Sequence, residues 1–271
     1  MSQFKLIATD LDDTLLNDAL EVSPRNKRAL RKAAEAGAVV TIATGRMFRS
    51  ALPIALSLGV RIPIITYQGA LITDIVSGDI LWHKPLPLEL ARKVLAEGYR
   101  AGIHMNVYIN DNLYVDSITP EGTGYAKRVE VDMIPIGDLL DFVKVDPTKV
   151  IYIAEPSLLD ELRGKIHAEM GDRLYITKSK PNYLEFLHPL ATKKHAVQSL
   201  AENYGIRREE IMVFGDSYND LDMIEFAGKG VAMGNAPEDI KKKADYVTLT
   251  NNEDGVAEAV EKFVLKETKE R

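Results

Sequence analysis

Two adjoining segments set the architecture of this chain: the apolar run Phe4-Lys5-Leu6-Ile7-Ala8-Thr9, which is typical of a buried strand, and Asp10-Leu11-Asp12-Asp13-Thr14 directly behind it. Because residues i and i+2 of a strand turn to the same side, we expect Asp10 and Asp12 to face one site. Repulsion should raise the proton affinity of one carboxylate, so that the ionised one can act as a nucleophile and the protonated one as a general acid. The alternative is structural, since acidic pairs at such junctions also form Asx turns or cap the next helix.

Strands rich in Ile and Val alternate with helical segments along the chain, which predicts an α/β fold with a doubly wound, mostly parallel sheet. Ser23 and Pro24 mark the start of a helix and Gly37 its stop, so we predict a helix over Pro24 to Ala36. The other predicted elements are a strand at Ala38 to Ala43, a helix ending at Leu58, a strand at Ile62 to Thr66, a hairpin around Ser77-Gly78, a helix from Thr192 to Tyr204 and a strand at Ile211 to Phe214.

A hinge is predicted at Lys84-Pro85-Leu86-Pro87, because two close prolines stiffen the chain and supply no backbone donors to a sheet. The residues behind it form an α/β unit of their own, which closes at His188-Pro189. We therefore expect a core domain over residues 1–84 and 189–271, interrupted by an inserted α/β domain over residues 85–188. The predicted elements of the insert are a helix at Leu88 to Arg100, strands at Met105 to Ile109, Leu113 to Val115 and Val150 to Ala154, a helix at Pro156 to Met170, and strands at Leu174 to Thr177 and Tyr183 to Leu187.

Composition narrows the class of protein. The 271 residues are 46% hydrophobic, enough for one large or two modest domains, and the absence of cysteine excludes disulfides, thiolate nucleophiles and sulfur-ligated zinc. A net charge of −6 argues against nucleic acid as the main partner. The longest apolar runs, such as Ala51 to Val60, are too short to span a bilayer, and no basic apolar leader precedes the first strand. We expect a cytoplasmic protein without membrane contact.

The second predicted strand ends at Thr44 and Gly45. Ligands of open parallel sheets bind beyond the carboxyl ends of the strands, so the position is suited to binding. The Thr44 hydroxyl can donate a hydrogen bond, and Gly45 lets a ligand approach the backbone N–H. An ordinary turn between strand and helix is the alternative.

The strand at Ile211 to Phe214 ends at Gly215-Asp216-Ser217-Tyr218-Asn219-Asp220. Asp216 and Asp220 would share one face if the next helix begins near Ser217. Carboxylate oxygens suit Mg²⁺, which takes few protein ligands. The structural alternative makes Asp216 an N-cap and Asp220 a charge that complements the helix dipole.

Charge balance suggests that Lys193 helps a phosphate group to approach the predicted site. The structural alternative is a lysine that lies on the surface and has no such role. If the four acids converge, a phosphate dianion could approach only with cations such as Mg²⁺ and a lysine ammonium. The acids in question are Asp10, Asp12, Asp216 and Asp220.

At this point the residues resemble the haloacid dehalogenase-like hydrolase superfamily, and within it the Cof-type sugar-phosphate phosphatases of subclass IIB. The resemblance covers the whole chain and implies a Rossmann-like core with an α/β cap inserted between the second and third motifs. The residues similar to the four motifs are Asp10-Leu11-Asp12-Asp13-Thr14, Thr44-Gly45-Arg46, Lys193 and Gly215-Asp216-Ser217-Tyr218-Asn219-Asp220.

The resemblance also implies an activity and its residues. The protein would be a Mg²⁺-dependent phosphatase for a small phosphorylated metabolite, such as a sugar phosphate, and would work as a monomer or small homo-oligomer. Asp10 would be the nucleophile that forms an aspartyl-phosphate, and Asp12 the general acid and later the base. Mg²⁺ would be held by the Asp10 carboxylate, the Asp12 carbonyl and the Asp216 carboxylate, with Asp220 beside them. Phosphoryl oxygens would be bound by Thr44, the Gly45 N–H, Lys193 and Asn219.

Three positions differ from the commonest family pattern: Asp13 and Lys194 stand where glycine is frequent, and Gln68 where asparagine is frequent. Substrate choice would depend on cap residues, for which the candidates are Lys178, Asn182, Tyr183 and Glu185.

Two other functions are alternatives: one has the same four motifs, and the other pairs similar residue types on a doubly wound sheet. A phosphomutase of the same superfamily would return the phosphoryl group to a sugar and release little phosphate. A phospho-aspartate signalling protein would use Asp10 as a switch, although receiver domains are far shorter and carry their acceptor aspartate near the middle of the chain.

Overall fold

The computed structural model describes residues 3–59 and 63–265, which form two β-sheets flanked by helices. Strands of the larger sheet are β1 Leu6–Thr9, β2 Val39–Ala43, β3 Pro63–Thr66, β4 Leu71–Asp74, β5 Ile80–His83, β12 Ile211–Gly215, β13 Lys229–Ala232 and β14 Tyr246–Val247. Strands of the smaller sheet are β6 His104–Ile109, β7 Asn112–Val115, β8 Met133–Pro135, β9 Lys149–Ile153, β10 Tyr175–Lys180 and β11 Tyr183–Leu187. The helices are α1 Pro24–Glu35, α2 Phe48–Ser57, α3 Leu88–Ala101, α4 Pro120–Val129, α5 Leu139–Phe142, α6 Pro156–Met170, α7 Lys193–Asn203, α8 Leu221–Phe226, α9 Glu238–Lys241 and α10 Gly255–Val260.

The larger sheet has the strand order β14-β13-β12-β1-β2-β3-β4-β5. Its strands run parallel from β14 to β3, and the β4–β5 hairpin adds two antiparallel strands. β1 lies at the centre, with Leu6 level with Val39 of β2 and with Ile211 of β12. Because the chain leaves β1 toward β2 and returns on its other side at β12, a crevice opens at the carboxyl end of β1.

Helices cover both faces of this sheet. On one face, α1, α2 and α10 pack side chains such as Leu30 and Val256 against Ile7 and Ile42. On the other face, α7, α8 and α9 pack side chains such as Val197 against Leu6 and Ala8. Both faces of the strands are therefore buried, which explains their nearly continuous apolar sequence, and the predicted doubly wound α/β fold is confirmed.

The smaller sheet has the order β10-β11-β9-β6-β7-β8 and is antiparallel except between β7 and β8. Helices α3, α5 and α6 cover one face. The other face carries Tyr108, Ile151 and Leu187, which pack against Tyr67 and Leu71 from the β3–β4 region of the larger sheet. The smaller sheet thereby lies over the chain segments that follow the carboxyl ends of the larger sheet's strands.

The predicted elements are present and differ from the observed ones mainly at their ends. Ile62, at the start of one predicted strand, lies outside the described residues. The sequence analysis left the segment between β7 and β9 without elements, and the structure corrects this with α4, β8 and α5. The start of α4 does have a signal, because Thr119 caps it by accepting a hydrogen bond from Gly122 N–H and Pro120 opens it. The domain boundaries at residues 84 and 188 stay a prediction.

Within residues 3–59 and 63–265, no helix combines the length and the apolar character that a membrane span requires.

A turn of left-handed residues joins β3 to β4 and packs against the start of α7. Tyr67, Gln68 and Gly69 have φ angles of 52°, 61° and 106°. A Cβ on Gly69 would lie 2.2 Å from the carbonyl oxygen of Thr192, so no larger residue fits there without moving the start of α7. This contact ties the turn that carries Gln68 to the helix that begins with Lys193.

Gly69→Ala should lower the free energy of unfolding by about 4 kcal/mol, because it adds a backbone clash to the cost of the left-handed conformation. The matched control is Gly37→Ala, since Gly37 has a φ of 96° but open space around its Cβ position. The control should lose only about 1–2 kcal/mol. Urea unfolding measures both, and equal losses would contradict the packing argument.

Candidate active site

The predicted motifs meet at the carboxyl end of β1. Asp10 follows β1, Gly45 follows β2 and Asp216 follows β12, and both neighbouring strands pair with β1 in parallel. Asp10, Asp216 and Asp220 each place one carboxylate oxygen within 4.8 Å of the others. The fold thus brings together acids that are about 200 residues apart in the sequence.

Lys193, the first residue of α7, lies between two of these acids. Its Nζ donates to Asp10 Oδ1 and to Asp220 Oδ1, each at 2.6 Å, and its side chain is 1% exposed. Burial alone would lower the pKa of Lys193, but attraction to the two carboxylates outweighs it and raises the pKa above its usual value. The ammonium therefore stays charged and neutralises part of the acid cluster.

Asp216 differs from the other acids of the site in its contacts. Burial, then repulsion from Asp220, raises the pKa of Asp216 to about 7. Its Oδ1 accepts a 2.7 Å hydrogen bond from the Thr14 hydroxyl. Among the acids of the described site, Asp10 and Asp220 contact Lys193 and Asp12 contacts Arg46, whereas no lysine or arginine pairs with Asp216. An oxygen-rich site with uncompensated charge fits a hard divalent cation such as Mg²⁺.

Asp220 lies just before a helix and not inside one, although we expected a helix to begin near Ser217. The helix α8 begins only at Leu221, and residues 217–220 form turns. The Asp220 carboxylate reaches back to accept the backbone N–H groups of Asp216 and Ser217, each at 3.1 Å. These bonds stabilise a loop instead of a first helical turn, and they orient Asp216.

Asp12 forms a two-pronged ion pair with Arg46. Arg46 Nε lies 2.9 Å from Asp12 Oδ2, and its Nη2 lies 2.7 Å from Oδ1. Burial would raise the pKa of Asp12, but the guanidinium outweighs it and holds the pKa below its usual value. Burial, only partly offset by Lys193, raises the pKa of Asp10 well above its usual value, and its acidic neighbours add to that rise. The two carboxyl groups therefore differ in proton affinity, and the direction of the difference depends on Arg46, which the sequence analysis did not place on Asp12.

Asp13 has a backbone conformation that favours glycine. Its φ is 60°, a left-handed conformation that glycine adopts freely and aspartate tolerates. The side chain pairs with Lys180 at the end of β10, at 2.9 Å between Oδ2 and Nζ. The acid therefore joins the first motif to the smaller sheet.

A cavity lined by Asp10, Asp12 and Asp216 opens at the active site, and only some of the predicted phosphoryl-binding residues line it. Gly45 and Asn219 are among the described residues that line it, whereas Thr44 and Lys193, both 1% exposed, are not. Thr44 Oγ1 accepts the N–H of Arg46 at 3.2 Å. Asn219 Nδ2 donates to Gln68 Oε1 at 3.0 Å.

The cavity has a volume of about 90 Å³ and lies between the two sheets. Of the four candidate specificity residues, Tyr183 and Glu185 line it. Lys178 pairs with Asp160 instead, at 2.6 Å, and Asn182 lines a neighbouring cavity. Sequence reasoning missed other lining residues of the smaller-sheet side, among them Tyr125, Arg128, Lys149 and Lys180. The apolar strand around Lys149 could have signalled a lysine with a partner, since lysine is rarely buried alone.

Comparison with known proteins identifies the class. The chain matches the family of haloacid dehalogenase-like hydrolases over residues 7–260 and belongs to it. The predicted family and the predicted enzyme class, a phosphatase of this superfamily, are confirmed.

Individual relatives show how far the similarity extends. The chain is 31% identical to 5-amino-6-(5-phospho-D-ribitylamino)uracil phosphatase YitU of Bacillus subtilis, over 95% of this chain and 97% of that protein. The structure of a haloacid dehalogenase-like hydrolase from Bacteroides thetaiotaomicron is similar with a TM-score of 0.87 and 33% identity, covering 96% of this chain and 99% of that one. The subclass IIB sugar phosphatase BT4131 shares the fold, with a TM-score of 0.85, 24% identity, and coverage of 96% and 98%.

Lys193→Met should lower the free energy of unfolding by about 3–5 kcal/mol, because it leaves buried carboxylates without their cation. The matched control is Lys194→Met. Lys194 lies over the Phe226 ring at 5.9 Å, so its loss should cost no more than about 1 kcal/mol. Chemical unfolding without divalent cations measures both variants, and similar losses would refute the structural role of Lys193.

Proposed function

We propose that this protein is a Mg²⁺-dependent phosphatase that hydrolyses a small phosphorylated metabolite through an aspartyl-phosphate on Asp10. The observation that carries the proposal is the buried group of Asp10, Asp216 and Asp220 around Lys193 at the carboxyl end of β1. Costly buried carboxylates at a topological switch point are best explained by a bound cation and an anionic substrate.

The Mg²⁺ ligands would be the Asp10 carboxylate, the Asp12 backbone carbonyl and the Asp216 carboxylate. Thr14 and Asp220 support this set, since Thr14 binds the Asp216 carboxylate and Asp220 binds the Asp216 backbone. When bound, the cation neutralises the acids and draws charge from the phosphoryl group.

In the first step, an Asp10 oxygen forms a bond to phosphorus while the bond from phosphorus to the ester oxygen breaks. Asp12 gives the leaving alkoxide its proton. Arg46 engages both Asp12 oxygens, so this ion pair must open before Asp12 can carry and donate a proton. In the second step, Asp12 takes a proton from water, the water oxygen attacks phosphorus, and the Asp10 carboxylate leaves.

Four groups would hold the phosphoryl oxygens: the Thr44 hydroxyl, the Gly45 N–H, the Lys193 ammonium and the Asn219 amide. Phosphoryl transfer depends mainly on positioning and charge stabilisation. These four groups supply hydrogen-bond donors for both, while Asp10 supplies the nucleophile.

A small substrate is supported by the cavity and by the relatives. Arg128 and Lys180 line the cavity between the sheets, and their positive charges suit a small anionic molecule. One similar protein is named for a phosphorylated ribityl compound, and another of the same fold is described as a sugar phosphatase. The net charge of −6 supports a small metabolite over nucleic acid as the substrate.

The decisive test is phosphate release from a panel of sugar phosphates, flavin mononucleotide, pyridoxal phosphate and p-nitrophenyl phosphate. We expect release with Mg²⁺, none with EDTA, and a loss of at least about 1,000-fold in Asp10→Asn, which lacks the nucleophile. Asp160→Asn makes the same change at an exposed acid of α6 and should keep full activity. Activation by a sugar bisphosphate with little phosphate release would instead establish a mutase.

Thr14→Val should raise the Mg²⁺ concentration for half-maximal activity about 10-fold, because the Asp216 carboxylate loses the hydroxyl that orients it. Thr41→Val is the control, since Thr41 is equally buried but donates to the Pro63 carbonyl within the sheet. Metal titration of activity distinguishes the variants. An unchanged midpoint in Thr14→Val would refute the assignment of Asp216.

A further inference from the structure

A buried ion pair connects two strands of the smaller sheet at the cavity. Lys149 opens β9 and Glu185 lies in β11, with 2.8 Å between Nζ and Oε2. Their side chains are 1% and 2% exposed. Such a pair adds little net stability, because desolvating both charges offsets most of their attraction, so its burial calls for another explanation.

Both members also reach residues that follow strands of the larger sheet. Lys149 Nζ donates to the Gly45 carbonyl at 2.8 Å. Glu185 Oε1 accepts from Gln68 Nε2 at 3.3 Å, and Gln68 Oε1 in turn accepts from Asn219 Nδ2 at 3.0 Å. The ion pair therefore contacts Gly45 directly and Asn219 through Gln68, and the proposed function assigns phosphoryl binding to both Gly45 and Asn219.

The contacts at Gly45 hold both of its peptide planes. The Gln68 backbone N–H donates to the Thr44 carbonyl at 3.0 Å, and this carbonyl shares a plane with the Gly45 N–H. Lys149 holds the Gly45 carbonyl, which shares a plane with the Arg46 N–H. Glycine is the residue whose backbone rotates most freely, so these outside contacts decide where the N–H groups point.

Lys149 and Gln68 are themselves held in place. The Lys149 ammonium lies 5.7 Å from the Tyr67 ring centre and 5.2 Å from that of Tyr108. Gln68 is 1% exposed, and a Cβ on Gly45 would lie 2.5 Å from its Nε2, so only glycine leaves room for the amide. The network has little freedom to rearrange while the sheets stay together.

We propose that Lys149 and Glu185 are positioning residues of the phosphatase site. Together they orient the backbone at Gly45 and, through Gln68, the Asn219 amide, so that the phosphoryl-binding donors are in place only when the smaller sheet lies against the larger one. The inference rests on the proposed phosphatase function and adds to it the two smaller-sheet residues that prepare the site.

The test compares two double variants with identical chemical changes. Lys149→Met with Glu185→Gln removes both charges of the pair and the contact to Gly45. Lys165→Met with Glu97→Gln removes another ion pair of the insert, in which Glu97 is buried but contacts Lys165 of α6 and Arg100 of its own helix α3. Both proteins are assayed for kcat and KM with p-nitrophenyl phosphate in Mg²⁺, and for inhibition by orthovanadate, which mimics the transferring phosphoryl group.

We expect the first double variant to lose about 10- to 100-fold in kcat, since misplacing a binding group by about 1 Å has effects of this size. Its inhibition constant for orthovanadate should rise in parallel. The second double variant should lose thermal stability only, with wild-type kcat and orthovanadate inhibition.

Gln68→Met provides a second route if the first double variant does not fold. It keeps the length of the side chain and the Lys149–Glu185 pair, but removes the link to Asn219, and it should lower kcat and weaken orthovanadate inhibition in the same way. Wild-type kcat and orthovanadate inhibition in either Lys149→Met/Glu185→Gln or Gln68→Met would overturn the inference. Failure of the wild-type protein to release phosphate would instead overturn the proposed function.

Discussion

The ammonium of Lys193 is the contact on which the arrangement at the end of the sheet depends. It lies between Asp10 and Asp220 and is as deeply buried as they are, so removing it would leave charges that neither water nor another side chain of the described site neutralises. Its position is set in turn by the start of α7, against which the Tyr67-Gln68-Gly69 turn packs without room for a Cβ. The backbone packing at Gly69 therefore helps to fix the position of the ammonium that neutralises the buried carboxylates.

A common pattern of pairing surrounds this centre. Asp12 pairs with Arg46, Asp13 with Lys180 and Glu185 with Lys149, and two of these three cations come from the smaller sheet. Asp216 breaks the pattern among the described residues, since its carboxylate has a hydroxyl partner and a raised pKa in place of a cation. This contrast singles out Asp216 as the position where a metal ion would add most.

Much of the fold could be predicted because its signals are local. The apolar run before Asp10, the Ser23-Pro24 start of α1 and the Ser77-Gly78 hairpin each depend on a few neighbouring residues. Helix α4 was missed because two glycines, Gly122 and Gly124, weaken its helical pattern, although the Thr119-Pro120 cap is present. The start of α8 was placed too early, because the Asp220 carboxylate bonds back to the N–H groups of Asp216 and Ser217 and holds residues 217–220 in turns.

The sequence by itself determined most of the strands and helices and the acids that follow the strands, since periodicity and capping are properties of adjacent residues. It also determined the family, through motifs whose spacing is visible along the chain. Only the tertiary structure decided which charges pair. Arg46 binds Asp12, Lys180 binds Asp13, and Lys149 reaches Glu185 and Gly45 from another sheet. Such pairs join residues that are distant along the chain, and their energies depend on distance and burial, which no local pattern records.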